Sequence, residues 1–158
     1  MKWLIDKVGK TSAVIIAILA IATGLITCWQ TFKSSTRSDI SGAWKLKFFI
    51  ESSTMKTYIG ETHVQEVFFN QNESVIMGNG EKIEYNGEPL PSDQHRKIEY
   101  AGTITDNLLK ASFKLYGLLR ESSGQIKVAI GEDGRTLEGT FIGTAANTRG
   151  KVTGEKID

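Results

Sequence analysis

Two hydrophobic patterns divide the chain. Residues 11–32 contain no charged side chain and are bracketed by Lys10 and Lys33. As a helix this run reaches about 33 Å, slightly more than the ~30 Å hydrocarbon core of a bilayer. Its centre is rich in Ile, Ala and Leu, and Trp29 and Phe32 fall where an interfacial aromatic belt belongs. The pattern predicts one N-terminal transmembrane helix within an anchor of residues 1–33. A secretory signal is the competing reading of such a start, because Ala20-Ile21-Ala22 resembles a cleavage site. The apolar run continues past it to Ile26, where a signal should already have turned polar. Residues 34–38, Ser-Ser-Thr-Arg-Ser, lack periodicity and read as a linker.

Beyond the linker the period changes to two. Trp44, Leu46, Phe48 and Ile50 alternate with Lys45, Lys47 and Glu51, the mark of a half-buried strand over 42–51. A second extended run, 58–70, loses strict alternation at Val64, Val67 and Phe69, which predicts a bulge near Gln65 and Glu66. A third strand covers 74–79. Residues 80–96 hold both prolines and Asn86-Gly87 and read as a long loop with room for one short strand. Five further runs follow, at 97–105, 108–119, 124–131, 136–143 and 149–157. Asp106-Asn107, Ser122-Ser123-Gly124 and Asp133-Gly134 punctuate them with residues that tolerate tight or left-handed backbone. Eight antiparallel strands in residues 39–158 fit a sandwich or a barrel. The barrel is preferred, because eight strands close around an interior sized for side chains or one small ligand. The expected fold is therefore all-β, an eight-stranded antiparallel up-and-down, lipocalin-like barrel behind a membrane anchor.

Charge and composition narrow the partners. Residues 1–37 hold five Lys/Arg and one Asp, whereas the remainder holds 14 basic and 17 acidic residues. The positive excess flanks the anchor and suits a bilayer with anionic headgroups, while an acidic domain gives no support to binding of DNA or RNA duplexes. The single cysteine, Cys28, and two isolated histidines, His63 and His95, supply neither a disulfide framework nor a metal-ligand cluster. With no phosphate-binding Gly-rich loop and no nucleophile elbow, the sequence reads as a protein that is not an enzyme and uses no cofactor. His63 and Glu66, the one candidate acid–base pair, point to opposite faces of their strand.

Candidate binding residues follow from sorting the connections. In an up-and-down barrel they alternate between two ends. One end receives the linker and the tight turns at 70–73, 106–107 and 132–135; the other receives the longer connections at 52–57, 80–96, 120–123 and 144–148. The second end forms a mouth facing away from the membrane and carries Lys56, Lys82, His95, Arg96, Lys97, Arg120 and Arg149. A basic mouth suits a small anionic ligand. Arg120 and Arg149 are the candidate phosphate contacts, since each guanidinium offers a bidentate fork. Tyr100 shares a face with Ile98 and Ile104, and Trp44 opens the first strand. Both are candidate aromatic contacts, with core packing as the plainer role of each. In the anchor, Ala20, Gly24 and Cys28 place small residues four apart. That spacing lets membrane helices approach closely and points to a homo-oligomer.

A span and linker followed by Ile40-Ser41-Gly42-Ala43-Trp44, with Leu137-Glu138-Gly139-Thr140-Phe141 and Gly150-Lys151-Val152-Thr153-Gly154-Glu155 near the end, resembles a bacterial family. The family is the CD-NTase-associated transmembrane β-barrel effectors of CBASS antiphage defence. The resemblance implies a cytosolic lipocalin-like barrel that senses a cyclic (oligo)nucleotide and membrane helices that assemble to disrupt the bacterial inner membrane. Family members commonly have two membrane helices where this chain has one, which puts its amino terminus and its barrel on opposite sides. Whether the nucleotide triggers or restrains the membrane activity stays open. The other reading is an envelope-anchored barrel facing the periplasm, carrying a lipid or serving as an interaction module.

Overall fold

The computed structural model describes residues 38–117 and 121–157. The expected transmembrane helix, with Ala20, Gly24 and Cys28, lies outside the described residues, as does Arg120. Among the described residues no helix is long and apolar enough to cross a membrane.

Nine strands follow in chain order: β1 Gly42–Ser52, β2 Thr62–Asn72, β3 Val75–Tyr85, β4 Glu88–Pro89, β5 Arg96–Thr105, β6 Leu108–Tyr116, β7 Glu121–Ile130, β8 Thr136–Gly143 and β9 Arg149–Lys156. The two-residue β4 pairs only with the end of β3. The other eight form an antiparallel up-and-down meander, and β1 pairs with both β2 and β9, so the sheet closes into a barrel without an edge.

Alternation fills the barrel. Trp44, Leu46, Phe48 and Ile50 of β1 point inward with Val67 and Phe69, Ile76, Ile98, Ile104, Leu109, Ile126, Val128, Leu137, Phe141 and Val152. Burying one such large apolar side chain stabilises the fold by about 1.5 to 3 kcal/mol. Where strands approach closely, no side chain fits: a Cβ on Gly150 would stand 1.8 Å from the Phe49 carbonyl oxygen. Gly150 sits opposite Ile50, where the β1–β9 register shifts.

The turns sort as expected between the two ends, and three local readings change. First, the irregularity expected near Gln65 is present, but β2 itself keeps its alternation, with His63, Gln65, Val67 and Phe69 all facing inward. Two polar residues occupy interior positions there, which hid the period. The register does shift between Val64 and Gln65, with Ile83 of β3 as the extra residue. Second, β3 continues to Tyr85, and Asn86-Gly87, both at positive φ, turn the chain into β4. Third, Ser122-Ser123-Gly124 lies within β7. Gly124 serves packing there, because a Cβ would meet the Phe113 ring at 2.4 Å.

Candidate functional site

The end of the barrel that receives the chain from residue 38 is shut. Trp44 is fully buried across it, and its Nε1 donates a 2.7 Å hydrogen bond to the carbonyl of the equally buried Ile40. The indole therefore has its polar atom satisfied by the segment that leads into β1, and it fills the closed end as core.

The opposite end is open. A cavity of about 280 Å³ lies inside it, between the strand ends and the connections at 53–61 and 144–148. That is near the lower edge of the volumes that hold small ligands. A larger depression of about 430 Å³ lies on the outer wall, where Ala101, Ser112, Gln125 and Ile142 are exposed.

The lining of the cavity is mixed, and strand register gathers its charged and amide groups on neighbouring strands. On β2, β3 and β5 the pairings His63↔Tyr85 and Gln65↔Lys82↔Arg96 align polar side chains across neighbouring strands. His63, Gln65, Lys82 and Tyr85 from this band line the cavity together with Glu61. The rest of the lining brings Phe113, Leu115 and Phe141 together with Ser122, Ser123 and Thr148, and Ile50 lies beside Glu61. His63 stacks on Phe48 with ring centroids 4.8 Å apart and meets the edge of Phe141.

Enclosure tunes each of these groups. Burial, aided by the nearby Lys82 charge, pulls the His63 imidazole down to about 3, so it is neutral at physiological pH. Burial also lowers the Lys82 ammonium; Arg96 adds to that effect and the Glu61 carboxylate opposes it. The ammonium lies 4.5 Å from the Tyr85 ring centroid, a cation–π contact, and among the described residues no carboxylate pairs with it. Burial and then Glu61 push the Tyr85 phenol up to about 12. The site thus holds a cation outside ion-pair distance of any described carboxylate, the Glu61 carboxylate acting on it from farther off, a neutral imidazole and aromatic rings.

The residues singled out from sequence divide. Tyr100 is buried and faces inward, where its hydroxyl donates to Gln65 Oε1. Trp44 stands at the end away from the cavity. Arg149 is exposed between inward-facing Thr148 and Gly150 and lies beside exposed Ile142 on the outer wall, so its guanidinium is directed away from the interior. Of the other mouth cations, Lys97 pairs with Glu99 at 2.7 Å, and His95 contacts Glu81 at 3.0 Å. Arg96 donates to the Asp93 and His95 carbonyls and so ties down the connection that precedes β5. Lys82 is the cation that lines the cavity. His63, Gln65, Glu61 and Tyr85 were not singled out as binding residues; the signal that could have found them is His63 and Gln65, polar at consecutive inward positions of one strand.

Among the described residues no group of three His, Cys, Asp or Glu side chains could hold a metal ion. No protein-family model matches the sequence, and no curated protein matches it.

Proposed function

We propose that this protein is a membrane-anchored sensor: the mouth cavity binds a cyclic nucleotide, and occupancy controls the association of anchor helices and, through it, the integrity of the bacterial inner membrane in antiphage defence. The observation that carries the reading is the mixed lining of the mouth cavity, aromatic rings together with a buried cation. A base needs an apolar or aromatic surface for its ring face, and Phe113, Leu115 and Phe141 provide one. A phosphate needs a cation, and Lys82 provides one in the cavity, with the Glu61 carboxylate as its nearest counter-charge there. A lipid-carrying barrel facing the periplasm would not need a desolvated ammonium beside a neutral imidazole. The cavity's small volume admits one base with its phosphate, leaving the rest of a cyclic dinucleotide at the rim. The reading is of a binding protein, not an enzyme, acting as a homo-oligomer in a single-pass orientation with the barrel in the cytosol.

Titration calorimetry of the full chain in detergent, with cyclic mononucleotides and cyclic dinucleotides of the four bases, tests the reading. Saturable binding of at least one, weakened about tenfold or more in Lys82→Met, supports it; absence of binding across the panel overturns it. The anchor is tested separately. Gly24→Leu is expected to weaken crosslinking between copies and any toxicity while the barrel stays folded, and a carboxy-terminal reporter active only in the periplasm would exclude the cytosolic orientation.

A further inference from the structure

Gln65 is a side chain whose environment specifies what must come next to it. It is 1% exposed, at an inward position of β2. Its carboxamide carries an acceptor, Oε1, and a donor, Nε2, and the protein fixes which is which. The Tyr100 phenol has one proton and gives it to Oε1. Burial pushes the phenol far up its titration range, so that proton stays in place. Were the amide turned around, Nε2 would donate to the phenol oxygen and the phenolic proton would have no acceptor among the described residues. The orientation shown satisfies the phenol and leaves Nε2 without a protein acceptor among the described residues. Yet no side-chain nitrogen or oxygen there is both sealed from solvent-sized space and unpartnered. Nε2 is therefore open to the cavity that Gln65 lines.

We propose that Gln65 is the specificity-determining residue of this cavity and that it selects an oxo group over an amino group on the ligand's heterocycle. The inference rests on the nucleotide reading of the cavity. A glutamine with both amide atoms free matches adenine, whose edge presents one donor and one acceptor. Here the oxygen is occupied by Tyr100, and only N–H groups remain. A carbonyl on the ring accepts from them, whereas an exocyclic amino group brings donor against donor and leaves both unsatisfied in a desolvated place. The neighbouring Lys82 is also a donor, so it does not restore a preference for amino groups. Tyr100 is a positioning residue: it touches Gln65 and acts on the ligand through it. Uracil, hypoxanthine and guanine present the favoured oxo edge; cytosine and adenine present an amino group in its place.

The test uses the full chain in detergent and ligand pairs that differ at that edge, uridine against cytidine and inosine against adenosine, as 3′,5′-cyclic monophosphates and as cyclic homodinucleotides. Calorimetry is expected to show the oxo member of each pair binding at least tenfold more tightly. Gln65→Met keeps the volume and removes the donor, and is expected to reduce the preference to within about twofold. Tyr100→Phe frees the amide to turn and is expected to do the same while both members still bind. Thermal melts establish that each variant is folded, and either variant alone suffices. Equal or reversed affinity in the parent overturns the inference and leaves the nucleotide reading standing. A preference retained in both folded variants removes Gln65 as its source. If no member of either pair binds, the nucleotide reading falls and this inference with it.

Discussion

The two ends of the barrel interior are lined by the same strands under the same alternation, yet they are filled by different chemistry. At the closed end Ile40, Trp44, Phe69, Ile104, Leu109, Val128 and Leu137 are buried, and the polar side chains that meet them are bonded: Trp44 Nε1 to the Ile40 carbonyl, and half-buried Gln71 to Ile40 N–H and the Glu73 carbonyl. At the mouth the inward positions hold His63, Gln65, Lys82 and Tyr85. The β2–β3 ladder runs through both halves but shifts register between Val64 and Gln65, where the polar band begins. Stability responds to the change: enclosing a cation and an imidazole destabilises the fold relative to apolar residues of the same size. A departure from core chemistry confined to one end is what a binding site requires, so the closed half sustains the fold and the mouth half spends part of that stability on recognition.

The comparison breaks most directly at the plug. Trp44→Ala is expected to lower stability by about 3 to 5 kcal/mol, as large aromatic truncations in cores do, while the folded fraction keeps its ligand affinity. Denaturation of the full chain in detergent measures it, and a loss below about 1 kcal/mol would mean that the closed end is not core.

A pH series probes the mouth. His63 is held near 3 in the fold against 6.5 when free. Between those values the unfolded chain binds the proton and the folded protein does not, so stability rises with pH through this window. The contribution is complete above about 6.5 and is lost on acidification towards 3. Full desolvation would make the change nearly 5 kcal/mol; with the ring open to the cavity, roughly 2 to 4 kcal/mol is expected. His63→Phe keeps the stack on Phe48 and removes this titration. Denaturation midpoints from pH 7.5 to 4 should therefore fall less steeply in the variant than in the parent, and parallel curves would refute the assignment.

Binding comes next in size. Lys82→Met is expected to weaken nucleotide affinity by about tenfold to a hundredfold, the worth of one charge-assisted hydrogen bond, with the melting temperature unchanged or raised. A clear drop in melting temperature with intact binding would make Lys82 structural. The smallest effect belongs to Arg149→Ala on the outer wall, expected within about 0.5 kcal/mol of the parent in stability and equal to it in calorimetric affinity. A loss of binding there would return the phosphate contact to the outside of the mouth.

Period-two patterning determined the all-β class, the eight long strands and the assignment of connections to two ends, because inward positions are apolar over most of the chain and alternation then reads directly as topology. Trp44 as core could be read for the same reason. Where the interior is polar the pattern was less complete: it placed an irregularity near Gln65, where the register does shift, but not on β3, and it read residues 80–85 as a loop because Lys82 stands where a hydrophobic residue would mark a strand. Tertiary structure alone decided which cation faces inward. Arg149 and Lys82 are both basic residues near the mouth, and only the pairing register sets one on the outer wall and the other beside Gln65. Likewise no local pattern can reveal that Tyr100 claims the oxygen of Gln65, thirty-five positions away. Burial and hydrogen-bond direction depend on what the rest of the chain brings to the same point, and that is fixed only when the barrel closes.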